Sequence, residues 1–152
     1  MTFEKIKTDM YGAMKAGDKL RKETLSTIMA NAKNEAIATG ANRDNIPDAV
    51  VDTVLLREKK LLRTMIDEFP KEATSAEHIK LKESYHAKLY IIMEYAPQVI
   101  DDESEIEELV IKSGVELDKK NMGKIMGMLK GKKCDMSVAS KVVNNLINKK
   151  EA

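Results

Sequence analysis

Apolar residues recur at intervals of three and four positions along most of the chain, which is the spacing of one helix face. The first such stretch runs from Phe3 to Met14, with Thr2 as a candidate N-cap and Gly17 as a break after it. No segment shows the strict apolar–polar alternation of a half-buried strand. The pattern therefore predicts an all-α, multihelical protein.

Three more helices are predicted before residue 97. Their bounds are marked by Asp18 and Gly40, by Pro47 and Pro70, and by Thr74 with Glu77 as a candidate capping box. The fourth helix has its apolar positions at Ile79, Leu81, Tyr85, Leu89, Ile92 and Met93. Together these segments predict an N-terminal four-helix bundle over residues 1–96.

A second, smaller part is predicted to follow Tyr95-Ala96-Pro97, because Pro97 disfavours helix at the residue before it. The first of its three helices begins at a candidate capping box of Asp102 with Glu105 and ends at Gly114. The second spans residues 119–130, and the third is capped by Asp135 or Ser137. The prediction is a three-helix subdomain over residues 97–152.

The charge of this second part is strongly uneven, although the whole chain carries only +1. Residues 98–111 contain six acidic residues and no basic one, whereas residues 112–152 contain ten lysines and four acidic residues. One interpretation is that the two segments complement each other within the subdomain. The other is that the basic face binds an anionic polymer, and RNA fits best.

The helix over residues 119–130 carries Gly123 and Gly127, four residues apart. Glycine costs about 1 kcal/mol relative to alanine in a helix interior, and it lets another backbone approach closely. The candidate nucleic-acid-binding residues are Lys119, Lys120, Gly123, Lys124, Gly127, Lys130, Lys132, Lys133 and Lys141. A second basic group is Arg57, Lys59, Lys60 and Arg63 on the third helix, for which a solvated outer face is the alternative.

Catalytic chemistry finds little support in the residues. His78 and His86 are eight positions apart, about 12 Å along a helix, which is too far to hold one metal ion directly. Cys134 lies beside Lys133, and a neighbouring lysine is able to lower a thiol pKa. We predict no catalytic, cofactor-binding or metal-binding residues.

Targeting signals are also missing from the sequence. No apolar run approaches the roughly 18 residues of a membrane span, and the N-terminus lacks the apolar core of a signal peptide. A single cysteine cannot form an internal disulfide. These features predict a cytoplasmic protein that does not enter a membrane.

Several segments together resemble the YqeY-like family, whose domain is shared with the tail of GatB, the B subunit of the tRNA-dependent amidotransferase. The segments are Asp9-Met10, Ala13 to Lys19, Lys33-Asn34-Glu35, Tyr95-Ala96-Pro97, Asn121 to Lys133, Asp135, and Ala139 to Leu146. The most specific is Met122-Gly123-Lys124-Ile125-Met126-Gly127. The link from Leu129 to Asp135 looks shorter than in the family.

The resemblance implies a free-standing accessory protein that associates with tRNA or other RNA and is not itself catalytic. The family residues carried over to this chain are Met122, Gly123, Lys124, Met126, Gly127, Lys130, Gly131 and Asp135. Two alternatives stay open: a protein-interaction module that docks on an amidotransferase or a synthetase, and an accessory to a carbon–nitrogen ligase that uses glutamine as amido donor.

Overall fold

The computed structural model describes residues 1–72 and 74–151. Over these residues the chain forms seven α-helices, one 3-10 turn and no β-strand, which confirms the all-α prediction. The chain divides into two compact units, Met1–Pro97 and Gln98–Ala152. Each unit has its own cluster of buried apolar side chains.

Four helices build the first unit, with α2 in contact with each of the other three and α3 packed against α4. They are α1 (Phe3–Ala16), α2 (Lys19–Ala38), α3 (Asp48–Asp67) and α4 (Ala76–Tyr95). Their core includes Ile6, Leu25, Ile28, Leu55 and Ile92, none of which is more than 2% exposed. Each of the four helices thus contributes at least one buried apolar residue to a shared core.

The helix ends follow the local capping signals with two corrections. Thr2 and Asp18 cap α1 and α2 as predicted, and their side chains accept hydrogen bonds from Lys5 N and Arg21 N. Thr74 does not cap α4, because the cap is Ser75, whose Oγ accepts from His78 N at 3.3 Å. Pro47 lies just before α3 and not at its first position.

Three apolar residues of α4 correct the predicted core. Ile79, Leu81 and Met93 are 48%, 43% and 47% exposed, although their spacing placed them inward. Apolar residues occur on more than one side of α4, and its contacts with α2 and α3 bury only one side. Ile92 and Tyr95 are the buried residues of this helix within the described part of the chain.

Tyr95 ends α4 inside a polar network that joins three helices. Its hydroxyl donates to Asp9 Oδ2 on α1 at 2.7 Å and accepts from Arg21 Nη2 on α2 at 3.1 Å. The same guanidinium forms an ion pair with Glu94. The hydrogen bond from Tyr95, followed by that from Lys5, lowers the pKa of the Asp9 carboxyl. The network therefore fastens the last turn of α4 to the rest of the bundle.

Replacing Tyr95 by phenylalanine removes the hydroxyl and keeps the ring. We expect Tyr95→Phe to lower the free energy of unfolding by about 1–2 kcal/mol at neutral pH, because a partly buried hydrogen bond to a charged group is lost. Urea melts measure this change. Tyr90→Phe on the same helix is the control, since Tyr90 is 76% exposed. Equal effects of the two substitutions would contradict the assignment.

The same substitution has a defined pH dependence. A carboxyl whose pKa is lower in the folded protein stabilises it above the unfolded-state pKa, and this stabilisation is lost as the pH falls through the folded-state pKa. The pKa of Asp9 is lowered chiefly by Tyr95. The difference between the wild type and Tyr95→Phe should therefore shrink between about pH 5 and pH 2, which urea melts in this range would record.

Three helices and a 3-10 turn build the second unit, with α7 in contact with both α5 and α6. They are α5 (Glu103–Lys112), the 3-10 turn Lys119–Asn121, α6 (Met122–Gly131) and α7 (Met136–Glu151). Asp102 caps α5 as predicted, and Asp135 Oδ1 accepts from Ser137 N and Val138 N at the start of α7. The predicted single helix over residues 119–130 is wrong, because α6 begins only at Met122.

Candidate nucleic-acid interface

The two faces of α6 differ sharply in burial. Ile125 and Leu129 are fully buried in the core of the second unit. The opposite face carries Gly123, Lys124, Gly127 and Lys130, and all four are exposed. We call this face the basic ridge, together with Lys120 before it and Lys132 and Lys133 after it.

The two glycines of the basic ridge are not required by packing among the described residues. A Cβ atom added to Gly123 or Gly127 would meet no heavy atom of residues 1–72 and 74–151 within 4 Å. Gly127 lies in the middle of α6, where glycine costs about 1 kcal/mol relative to alanine. Gly123 lies in the first turn. The helix thus keeps an open stretch of backbone that its own fold does not use.

The turn after α6 has the opposite mismatch, because a lysine occupies a position that suits glycine. Cys134 N donates to Leu129 O at 3.2 Å and Lys133 N donates to Lys130 O at 3.1 Å, which is the Schellman pattern of a helix end. Lys133 has a φ of +57°, in the left-handed region. A residue other than glycine costs roughly 1–2 kcal/mol there.

A distant segment holds this turn in place. Ile100 N donates to Lys133 O at 3.0 Å, and Asp135 N donates to Ile100 O at 2.8 Å. Ile100 precedes α5, so the contact brings together the beginning and the middle of the second unit. The short link between Leu129 and Asp135 is therefore a tight helix end. The sequence carried no signal for this contact, because the pairing partner is more than thirty residues away.

Ion pairs divide the predicted lysines into two groups. Lys141 pairs with Glu103 at 2.6 Å and Lys119 with Glu151 at 3.5 Å. The Lys141–Glu103 pair joins the acidic and basic segments, as the first interpretation expects, whereas the Lys119–Glu151 pair lies within the basic segment. The other lysines form no ion pair with any residue in the described part of the second unit: they are Lys120, Lys124, Lys130, Lys132 and Lys133. These five lysines all belong to the basic ridge.

The second basic group does not form one solvated cationic face. Lys59 is buried, with 7% of its surface exposed. Arg57 Nη1 pairs with Glu35 Oε2 at 2.8 Å, and this hydrogen bond lowers the pKa of the Glu35 carboxyl. Lys59 is thus buried, and Arg57, although its side chain is 61% exposed, is paired with a carboxylate of α2. Their spacing alone did not indicate this, because both features depend on tertiary packing.

Cys134, His78 and His86 are the side chains that the sequence offered for chemistry. Burial raises the pKa of the Cys134 thiol, and this outweighs the lowering by Lys132. The notion that neighbouring lysines activate Cys134 is therefore wrong. His78 and His86 are both exposed on α4. Among residues 1–72 and 74–151, no three His, Cys, Asp or Glu side chains are grouped to hold a metal ion.

Substituting alanine for Gly127 should stabilise the protein. We expect Gly127→Ala to raise the free energy of unfolding by roughly 0.5–1 kcal/mol, because the added methyl group has open space and alanine favours helix. Gly12→Ala in the middle of α1 is a matched control, since a Cβ there also meets nothing within 4 Å. Thermal melts should show a gain for both. A loss of stability for Gly127→Ala alone would reveal an unrecognised packing role.

Comparison with known proteins identifies one family. A search of curated proteins finds no match to this chain. None of the helices in the described part of the chain has the length and apolar character that crossing a bilayer requires. The model of the family described as Yqey-like protein matches residues 3–147, which include Tyr95 and the entire basic ridge. By this match over nearly all its length, the chain belongs to the YqeY-like family.

Proposed function

We propose that this protein is a cytoplasmic, non-catalytic accessory protein that binds tRNA or another structured RNA through the basic ridge. The resemblance to the tail of the amidotransferase B subunit supports tRNA as the ligand. The proposal covers binding alone, and it assigns no chemical step to any residue.

One observation carries the proposal: the basic ridge gives up stability in ways that favour a close anionic ligand. Gly127 leaves the helix backbone open where alanine would be more stable, and Lys133 puts a cation where glycine would be less strained. Five lysines of the ridge also form no ion pair with the described residues. A phosphate backbone that approaches the glycines would neutralise these charges and release counterions.

The composition of the second unit indicates which features of an RNA ligand would be recognised. Residues 98–152 contain no Phe, Tyr, Trp or His, so they offer no ring on which an unpaired base can stack. Binding would therefore depend on phosphate positions and on the shape of a folded RNA, with little dependence on sequence. This favours tRNA over an unstructured single strand.

A protein partner is the second candidate, because the exposed glycine backbone equally permits a partner helix to pack closely on α6. The family resemblance suggests an amidotransferase or an aminoacyl-tRNA synthetase as such a partner. The two candidates differ in their dependence on salt. Phosphate binding weakens steeply as salt rises, whereas apolar docking does not.

The test is tRNA binding by the purified chain, measured by fluorescence anisotropy between about 0.05 and 0.3 M salt. We expect the logarithm of the association constant to fall linearly with the logarithm of the salt concentration. Five phosphate contacts would give a slope of about −3.5 to −4.5. Poly(U) of equal length should bind more weakly. Absence of tRNA binding at the lowest salt would reject the RNA proposal and direct the search to a protein partner.

Gly127→Ala tests the close approach itself. If the ligand contacts the backbone of α6, the added methyl group should weaken tRNA binding although it stabilises the helix. Gly12→Ala should leave binding unchanged. Unaltered binding by both variants would mean that the lysines act without backbone contact at Gly127.

A further inference from the structure

A separate groove lies in the first unit, where α2, α3 and α4 meet. Its volume is about 310 Å³. Its floor is formed by Ile28, Leu62 and Ile92, one from each helix, which are 1%, 6% and 2% exposed. The floor is thus part of the bundle core, and the groove opens from the core to the surface.

Part of the groove wall is apolar and only partly covered. Leu61 on α3 is 51% exposed, while Met65 and Tyr85 are of intermediate burial. Leu61 and Met65 line the groove from α3, and Tyr85 lines it from α4. Methionine adapts its shape readily to an incoming apolar group. A ligand that filled only the floor would leave Leu61 uncovered, so a larger partner surface suits the groove better.

Charged residues at the groove are arranged asymmetrically. Glu23 on α2, Glu58 on α3 and Lys88 on α4 line the groove, so two carboxylates face one cation. Glu58 Oε1 accepts a hydrogen bond from Asn31 Nδ2 at 2.8 Å. Neither carboxylate forms an ion pair with a residue in the described ranges. Helices α2 and α3 therefore each offer one carboxylate to a cationic side chain.

We propose that this groove binds an amphipathic helix of a partner protein, which inserts apolar side chains and places lysine or arginine side chains against Glu23 and Glu58. An amphipathic helix presents anchors three and four residues apart, and these would occupy the floor and cover Leu61. Cations beside these two carboxylates would set the orientation of the helix. The partner proposed for the groove is therefore cationic, whereas the ligand proposed for the basic ridge is anionic.

The probe is a pair of labelled synthetic helices of about 16 residues that share leucines at helical spacing and carry either lysine or glutamate on the flanks. Fluorescence anisotropy with the full chain at about 0.15 M salt measures their binding. We expect the lysine helix to bind at least about tenfold more tightly than the glutamate helix. Equal affinity for the two helices would overturn the proposal.

Three variants locate the binding. Leu61→Asp should weaken binding of the lysine helix at least about tenfold. Ile37→Asp, at a similarly exposed site on α2 outside the groove, should not weaken it. The double variant Glu23→Gln, Glu58→Gln should erase the preference for the lysine helix. The amide oxygen of glutamine at position 58 would still accept the hydrogen bond from Asn31. An equal loss in Leu61→Asp and Ile37→Asp would overturn the proposal. So would a concentration-dependent dimer that Leu61→Asp abolishes, since a second copy would then be the occupant.

Discussion

Reversing three charges of the basic ridge should reduce tRNA affinity by about 100-fold or more in ~0.1 M salt and flatten the dependence of this affinity on salt. The variant combines Lys124→Glu, Lys132→Glu and Lys133→Glu. All three side chains are exposed, and none forms an ion pair with the described residues. The loss would come from three removed phosphate contacts and from the repulsion of the three new carboxylates. Anisotropy titrations across salt measure both quantities.

A matched variant separates this local effect from the change in net charge. Lys15→Glu, Lys22→Glu and Lys80→Glu change the total charge equally, and these lysines are exposed on helices of the first unit. We expect this control to weaken binding only a few-fold through the general field of the protein. Similar losses in both triple variants would show that net charge, and not the basic ridge, governs the affinity. Circular dichroism should confirm the helix content of each.

Truncating Ile125 should have the largest effect on stability in the second unit. Its side chain is 0% exposed and points from α6 into the core, away from the basic ridge. Ile125→Ala removes buried methyl groups and leaves a cavity, which costs about 2–4 kcal/mol. A unit of about 50 residues has little stability in reserve. We expect amide protection in α5, α6 and α7 to fall by about 30- to 1,000-fold in hydrogen exchange.

Ile111→Ala makes the same chemical change at a residue that is 61% exposed on α5. Its cost should stay below about 0.5 kcal/mol, because an exposed side chain loses little burial. Unchanged amide protection of α6 in Ile125→Ala would contradict the assignment of this residue to the core. Because α6 carries the basic ridge, the proposal further expects Ile125→Ala to weaken tRNA binding in parallel with the loss of protection.

The sequence alone was sufficient for the features that depend on residues close together in the chain. Helix caps at Thr2, Asp18 and Asp102 were predicted because each contacts an amide three residues away. The family was recognised from short motifs, above all the stretch from Met122 to Gly127, and the family match confirms it. RNA binding by the same residues stays a prediction.

The features that depend on distant residues were decided by the tertiary structure. Lysines of similar sequence context were divided because Lys141 finds Glu103, whereas Lys124 finds no carboxylate among the described residues. The strained turn at Lys133 is held by Ile100, and the exposure of Leu81 follows from which side of α4 meets its neighbours. Periodicity determines which residues share a helix face, but only packing determines which face is covered. The sequence by itself therefore determined the helices and the family, and the tertiary structure decided which lysines, glycines and apolar side chains remain open to a partner.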